Sequence, residues 1–128
     1  MLGQKWTLNS DGEVDVDGTV DMTNMHLTEI PVKFGSVGEG FICSFNNLTS
    51  LNGYPTKING KFGFEENNLT NYFKSIKEED FPHWDKLYWG DVLREYPFLI
   101  NTIHKYSTNG DLELYLSLYP LTKLYYKD

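Results

Sequence analysis

Acidic residues alternate through the stretch EVDVDGTVDMTN at 13–24, a texture that could hold a cation. Calcium loops of the form D-x-[DN]-x-[DN]-G-x5-E converge several oxygens on the ion, turn at the glycine and close with a bidentate carboxylate. Glu13, Asp15, Asp17, Gly18 and Asn24 fall in the matching slots. The first slot holds Glu, however, and the last holds Asn, so the closing carboxylate is lost. Val14, Val16, Val20 and Met22 alternate with the acids, as a half-buried strand requires. The stretch therefore reads as a strand with an acidic outward face, and no metal site is expected.

Cys43 is the lone cysteine, and His26, His83 and His104 are the histidines that could serve it as a base. A thiol nucleophile needs a lowered pKa and a base within hydrogen-bond reach. Cys43 instead falls in an interior column with Met22 and Phe64, where burial would leave it inert. His83 in DFPHWDKLYW and His104 in LINTIHKYS lack a second ligand at metal spacing and read as surface or satisfied core residues. P-loop, GxSxG, Rossmann and paired His/Cys patterns do not occur. The expectation is a protein without catalytic residues or cofactor.

Two matches to N-x-[ST], at Asn47-Leu48-Thr49 and Asn68-Leu69-Thr70, lie inside NNLTSL (46–51) and NNLTNY (67–72). They are better explained by a repeat than by glycosylation. Val16, Val37 and Ile58 recur at intervals of 21, and so do Val20, Phe41 and Phe62; Met22, Cys43 and Phe64; Leu27, Leu48 and Leu69; and Ile30, Leu51 and Tyr72. Asn46 and Asn67 match each other, with Met25 in the earlier slot. The units align without a gap as VDGTVDMTNMHLTEI, VGEGFICSFNNLTSL and INGKFGFEENNLTNY. Apolar residues two apart share one face of a short strand. The Asn that follows suits a bend, because its side chain satisfies backbone groups left unpaired there. Gly18, Gly38, Gly40 and Gly60, with Pro31 and Pro55, fall where the chain passes to the next unit.

From the strand onward, Phe41, Cys43, Asn46, Leu48 and Phe62, Phe64, Asn67, Leu69 resemble the leucine-rich repeat L-x-x-L-x-L-x-x-N-x-L. The family's first leucine is missing, its slot holding Asp17, Gly38 and Asn59, with Val16, Val37 and Ile58 one residue earlier. The wording G-F-x-C-x-x-N-x-L-T-S-L-x-G-x-P, followed by LYW…VL-x-EYPFLIN…YP-x-TKLY, is similar to small leucine-rich-repeat-like proteins of tailed bacteriophages over residues 14–127. That resemblance implies a fold and a setting inside an infected bacterium, and no catalytic residues. The expected fold class is α+β: a short β-solenoid of about three 21-residue coils with an α-helical C-terminal cap.

The expected organisation is one domain, with an N-terminal cap at 1–13, repeats at 14–73 and a helical cap at 74–128. Trp6 and Leu8 would cover the first unit. Leu87, Val92, Leu93 and Tyr96 suit one face of a helix ending near Pro97, and Phe98, Ile100, Ile103 and Tyr106 suit a second. A third would follow Asn109-Gly110 with Leu112, Leu114, Tyr115, Leu116 and Leu118. The N-terminal sequence turns acidic before any apolar run and is not expected to be a signal peptide. No stretch approaches the length of a transmembrane helix. A single cysteine suits a reducing compartment.

The formal charge is −7, split −3 and −4 between the two halves, and Arg94 is the only arginine. Direct nucleic-acid binding needs a basic stripe, so it is not expected. An acidic surface would steer toward basic partners. The outward strand positions Thr19, Asp21, Thr23, Gly40, Ile42, Ser44, Lys61, Gly63 and Glu65 would form a ladder, with the apolar Ile42 at its centre. Trp84, Tyr88 and Trp89, near Arg94, form a second candidate surface, since Trp, Tyr and Arg dominate binding hot spots. The expected partner-binding residues are Asp21, Thr23, Ile42, Ser44, Lys61, Glu65, Trp84, Tyr88 and Trp89. On the resemblance, the expected function is a non-enzymatic phage protein in the host bacterial cytoplasm that binds and inhibits a host protein such as a defence factor. The same surfaces would serve a homodimer. The alternatives are a small ligand binder or enzyme with a cleft between solenoid and cap, and an accessory structural protein of the phage.

Overall fold

A computed structural model describes residues 5–87 and 89–106. The strands are β1 (Trp6–Leu8), β2 (Val14–Val16), β3 (Val20–Asp21), β4 (Phe34–Val37), β5 (Phe41–Ile42), β6 (Lys57–Ile58) and β7 (Phe62–Gly63). The helices are α1 (Thr70–Ser75), α2 (Trp89–Glu95) and α3 (Ile100–Tyr106), with 3₁₀ turns at Glu78–Asp80, Trp84–Lys86 and Pro97–Leu99. The strands form two sheets, ordered β1-β2-β4-β6 and β3-β5-β7.

The repeat columns lie side by side in these sheets. Val16 pairs with Val37 and Val37 with Ile58, in parallel. Val20, Phe41 and Phe62 line up in the same way in the second sheet. One pairing departs from the period. Val14 lies opposite Phe34, so β4 carries an extra residue before Val37 and bulges. Asp15 fills the bulge, its Oδ1 accepting from Ser36 N–H at 2.9 Å and from Asn9 Nδ2 at 3.1 Å. A Cβ on Gly35 would collide with those same Asp15 and Asn9 atoms, so a larger residue there would displace their hydrogen bonds.

The expected solenoid does not form. The strands are only two to four residues long, and they make two separate sheets that do not curl into a continuous coil. The first sheet is mixed, because β1 runs antiparallel to β2 with Trp6 opposite Val16. The described chain is an α+β protein of two small sheets and three short helices. The residues between the paired segments, such as Asp17–Thr19, carry glycine, and the two sheets part there although backbone bonds such as Glu39 N–H to Gly18 O at 3.2 Å still cross between units.

The asparagines do more than turn the chain. Asn46 reaches back one unit: its Oδ1 accepts from Met25 N–H at 2.9 Å and Leu27 N–H at 3.0 Å. Its Nδ2 donates to the carbonyls of Met22, Cys43 and Ser44 at 2.9, 3.1 and 3.1 Å. Asn67 repeats the arrangement, accepting from Leu48 N–H and donating to Cys43 and Phe64 carbonyls. Cys43 O therefore answers to both asparagines. The residue before each such slot is left-handed: Asn24 at φ 55°, Phe45 at 57° and Glu66 at 59°.

Interior columns fill the core, with Val20, Met22, Phe34, Phe41, Cys43, Leu48, Leu51, Phe62, Phe64 and Leu69 fully buried. Ring contacts run from Phe34 through Phe41, Phe62, Phe64 and Phe73, at centroid distances of 5.2, 5.6, 5.4 and 5.1 Å. Leu87 lies outside α2 and bridges Phe62 in parallel, extending the outer edge of β7. Val92, Leu93 and Tyr96 are buried, as are Ile100 and Ile103 of α3. Trp6 and Leu8 remain exposed, at 51% and 66%, so β1 satisfies the edge of β2 through its backbone and adds nothing to the core. The helix expected around Leu112–Leu118 lies outside the described residues.

Candidate functional site

The outward face of β3-β5-β7 places Asp21, Ile42 and Gly63 in one paired row. Asp21, Thr23 and Lys61 are exposed, while Ile42 and Glu65 are half-buried. Asp21 Oδ1 accepts from Thr23 Oγ1 at 2.6 Å and Thr23 N–H at 3.0 Å, which holds its carboxyl below the usual carboxylate range and keeps it charged. Thr19 Oγ1 donates to Glu39 Oε1 at 3.3 Å on the same side. Ile42 leans over the bare backbone of β7: a Cβ on Gly63 would sit 3.2 Å from its Cδ1, and one on Gly40 3.9 Å away. The glycines thus let one apolar side chain lie flat among short polar neighbours.

Ser44 is not an outward contact. It is 1% exposed, and its Oγ has no hydrogen-bond partner within the protein. A small side chain in the middle unit, beside Ile42 and Glu65, is shielded by longer neighbours; both of those and Ser44 Oγ converge on the space above Gly63. At the edge of the face, Glu95 of α2 accepts from Glu66 N–H through both oxygens, at 2.8 and 3.0 Å. Burial first, and the charges of Glu66 and Glu65 after it, push the Glu95 carboxyl up. Glu65, Glu66 and Glu95 therefore concentrate negative charge beside the ladder.

Trp84 belongs to the core. It is 4% exposed, its Nε1 donates to Glu78 O at 3.0 Å, and it packs on Phe81 and Tyr106. At the first position of the Trp84–Lys86 turn, its ring is packed and its N–H is satisfied. Tyr88 and the side chain of Trp89 lie outside the described residues. The structure thus brings together Asp21, Thr23, Ile42, Lys61 and Glu65, and separates Trp84 from them. Missed from the sequence was Phe45, left-handed and 53% exposed, in the column of Asn24 and Glu66. The signal was present in that column, where a turn residue is wanted and a phenylalanine stands.

The chemistry-bearing residues are accounted for structurally. Cys43 is fully buried, and burial, with the charge of Glu65 behind it, pushes its thiol up to about 12. His83 is buried among Tyr54, Phe62 and Phe81, and its Nε2 donates to Pro55 O at 2.8 Å. Among the described residues, no group of three or more His, Cys, Asp or Glu side chains could hold a metal ion. Asp15 and Asp21 direct their oxygens at backbone N–H groups instead. A cavity of about 230 Å³ lies within the 78–106 segment, lined by Glu78, Glu79, Phe81, Trp84, Asp85 and Tyr106. Its Glu78 is engaged by Thr102 at 2.9 Å and Lys105 at 3.6 Å. No described helix is long and apolar enough to cross a membrane. Comparison with protein families, curated proteins and solved structures finds no match for this chain.

Proposed function

We propose that this protein is a non-enzymatic protein–protein interaction module that presents the outward face of β3-β5-β7 to a partner. The observation that carries the reading is Ile42, an apolar side chain laid over glycine backbone at the centre of a face bordered by Asp21, Glu39 and Glu65. An apolar centre with a charged rim is the ordinary anatomy of a binding surface. Five of the residues expected from the sequence, Asp21, Thr23, Ile42, Lys61 and Glu65, contribute to it.

The resemblance of the repeat wording to small phage proteins supports a bacteriophage setting. In it, the partner is a host protein of the bacterial cytoplasm, such as a defence factor, and binding inhibits it by covering its surface. Tagged protein expressed in infected bacteria should yield one stoichiometric complex, measured by light scattering after size exclusion. Ile42→Arg should abolish that complex and leave the melting temperature nearly unchanged, because Ile42 is half-buried at the surface. Undiminished binding by Ile42→Arg would sink this assignment of the face. Co-purification with phage particles would favour an accessory structural role, and a self-complex lost in the same variant would favour a homodimer.

A further inference from the structure

Resting on the binding face just proposed, the geometry points to Phe45 as an anchor residue that inserts into an apolar pocket rimmed by lysine or arginine side chains on the partner. Three observations converge on it. The first is conformational: Phe45 sits at φ 57°, a region that a bulky L side chain adopts rarely and at a cost. The backbone there is imposed from both sides. Phe45 N–H donates to Glu65 O at 2.9 Å, and the next residue, Asn46, is fixed by its bonds to Met22, Cys43 and Ser44 carbonyls. Any residue at 45 must therefore be left-handed, and the equivalent slot in the first unit holds Asn24, a residue suited to it.

The second observation is exposure. Phe45 is 53% exposed, so the strain is not repaid by burial within the fold. Met25, in the unit before, is also exposed at 41%, and its N–H is tied to Asn46 Oδ1. An aromatic ring held on a rigid, over-determined turn loses little freedom on binding, which is what an anchor requires. The third is charge. Glu66 follows Phe45 in the column, Glu65 precedes Glu66, and the Glu95 carboxylate is held against Glu66 N–H. Glu65, Glu66 and Glu95 thus load this edge with charge of one sign, and burial, with the charges of Glu66 and Glu65 after it, raises Glu95. A partner carrying basic side chains around its pocket offsets that charge as it docks.

The test separates strain from recognition, because the two move in opposite directions. Phe45→Asn should raise the melting temperature by roughly 2–5 °C, since Asn tolerates the left-handed turn. It should also weaken the partner complex at least tenfold. A benzophenone side chain introduced at 45 in the full chain serves as the probe in lysate of infected bacteria. A control is placed at exposed Asn52, in the loop between β5 and β6. The expected result is cross-linking from 45 and not from 52, mapped on the partner to an apolar site flanked by Lys or Arg, with the cross-link diminishing at high salt. Cross-links that map to an acidic surface overturn the inference, and so does full binding by Phe45→Asn. A Phe45→Asn variant no more stable than wild type removes its conformational premise. If Ile42→Arg loses the complex while Phe45→Asn keeps it, the face stands and the anchor falls. If both keep it, the face falls as well.

Discussion

At the turn edge, Asn46 makes five hydrogen bonds that fix the backbone of two neighbouring units, at 22–27 and 43–44, against each other. Past β7, Phe62, Phe81, His83 and Trp84 meet as rings 4.8–6.0 Å apart, at angles from 33° to 90°. The first region is held by direction, the second by shape and area. Hydrogen-bond geometry is demanding, so the asparagine recurs visibly at 46 and 67, with Met25 in the first slot. Aromatic packing admits many arrangements of similar volume, so its partners follow no period.

Substitutions at the two regions should break this comparison in different ways. The largest effect is expected for Phe62→Ala, which empties the junction of both regions and should cost about 3–5 kcal/mol in chemical denaturation. Phe62→Leu should recover most of that loss, because the surrounding rings can close on a smaller apolar group. Asn46→Ala comes next, at about 2–3 kcal/mol, since it leaves buried carbonyl and N–H groups unpaired. Here the near-isosteric Asn46→Asp should recover little, as its oxygens would face three carbonyls that need a donor. A rescue pattern the other way round would show that the turn is held by packing after all.

The smallest effect concerns pH and the aromatic region alone. Burial holds the His83 imidazole below its ordinary value of 6.5. The unfolded chain therefore takes up a proton before the folded one does, and stability falls as pH drops below about 6.5. The fall should level off once folded His83 is itself protonated. Thermal melts between pH 7.5 and 5.5 should show a shallow decline, flattened in His83→Gln, which can still donate to the Pro55 carbonyl.

The parallel register was legible because equal spacing puts equal residues side by side, as with Val16, Val37 and Ile58. The division into two sheets was not, since glycine and acidic residues between the paired segments say where a ladder weakens and not where its halves go. The β4 bulge shifts one pairing by a single residue, a change that the period of the other columns conceals. Strand alternation put Ser44 on the outward face, yet it is 1% exposed, because exposure depends also on the length of the neighbours. Trp84 looked available because an isolated aromatic is ambiguous until its N–H partner, the Glu78 carbonyl, is known. Phe45 was hidden for a different reason: the sequence shows a phenylalanine, while its significance lies in a backbone angle.

The shared carbonyl of Cys43 constrains how such a chain can be lengthened or shortened. Asn67 reaches it from the unit after, as Asn46 reaches the Met22 carbonyl, so each unit is fastened to the one before through a fixed stretch of backbone. Inserting a few residues between β5 and Asn67 would swing that side chain out of reach and strand its carbonyl targets. Adding or removing a whole 21-residue unit would leave every asparagine facing the same atoms as before. Length variation in this region is therefore quantised, and a descendant of this chain with one unit more would inherit the same turn chemistry intact.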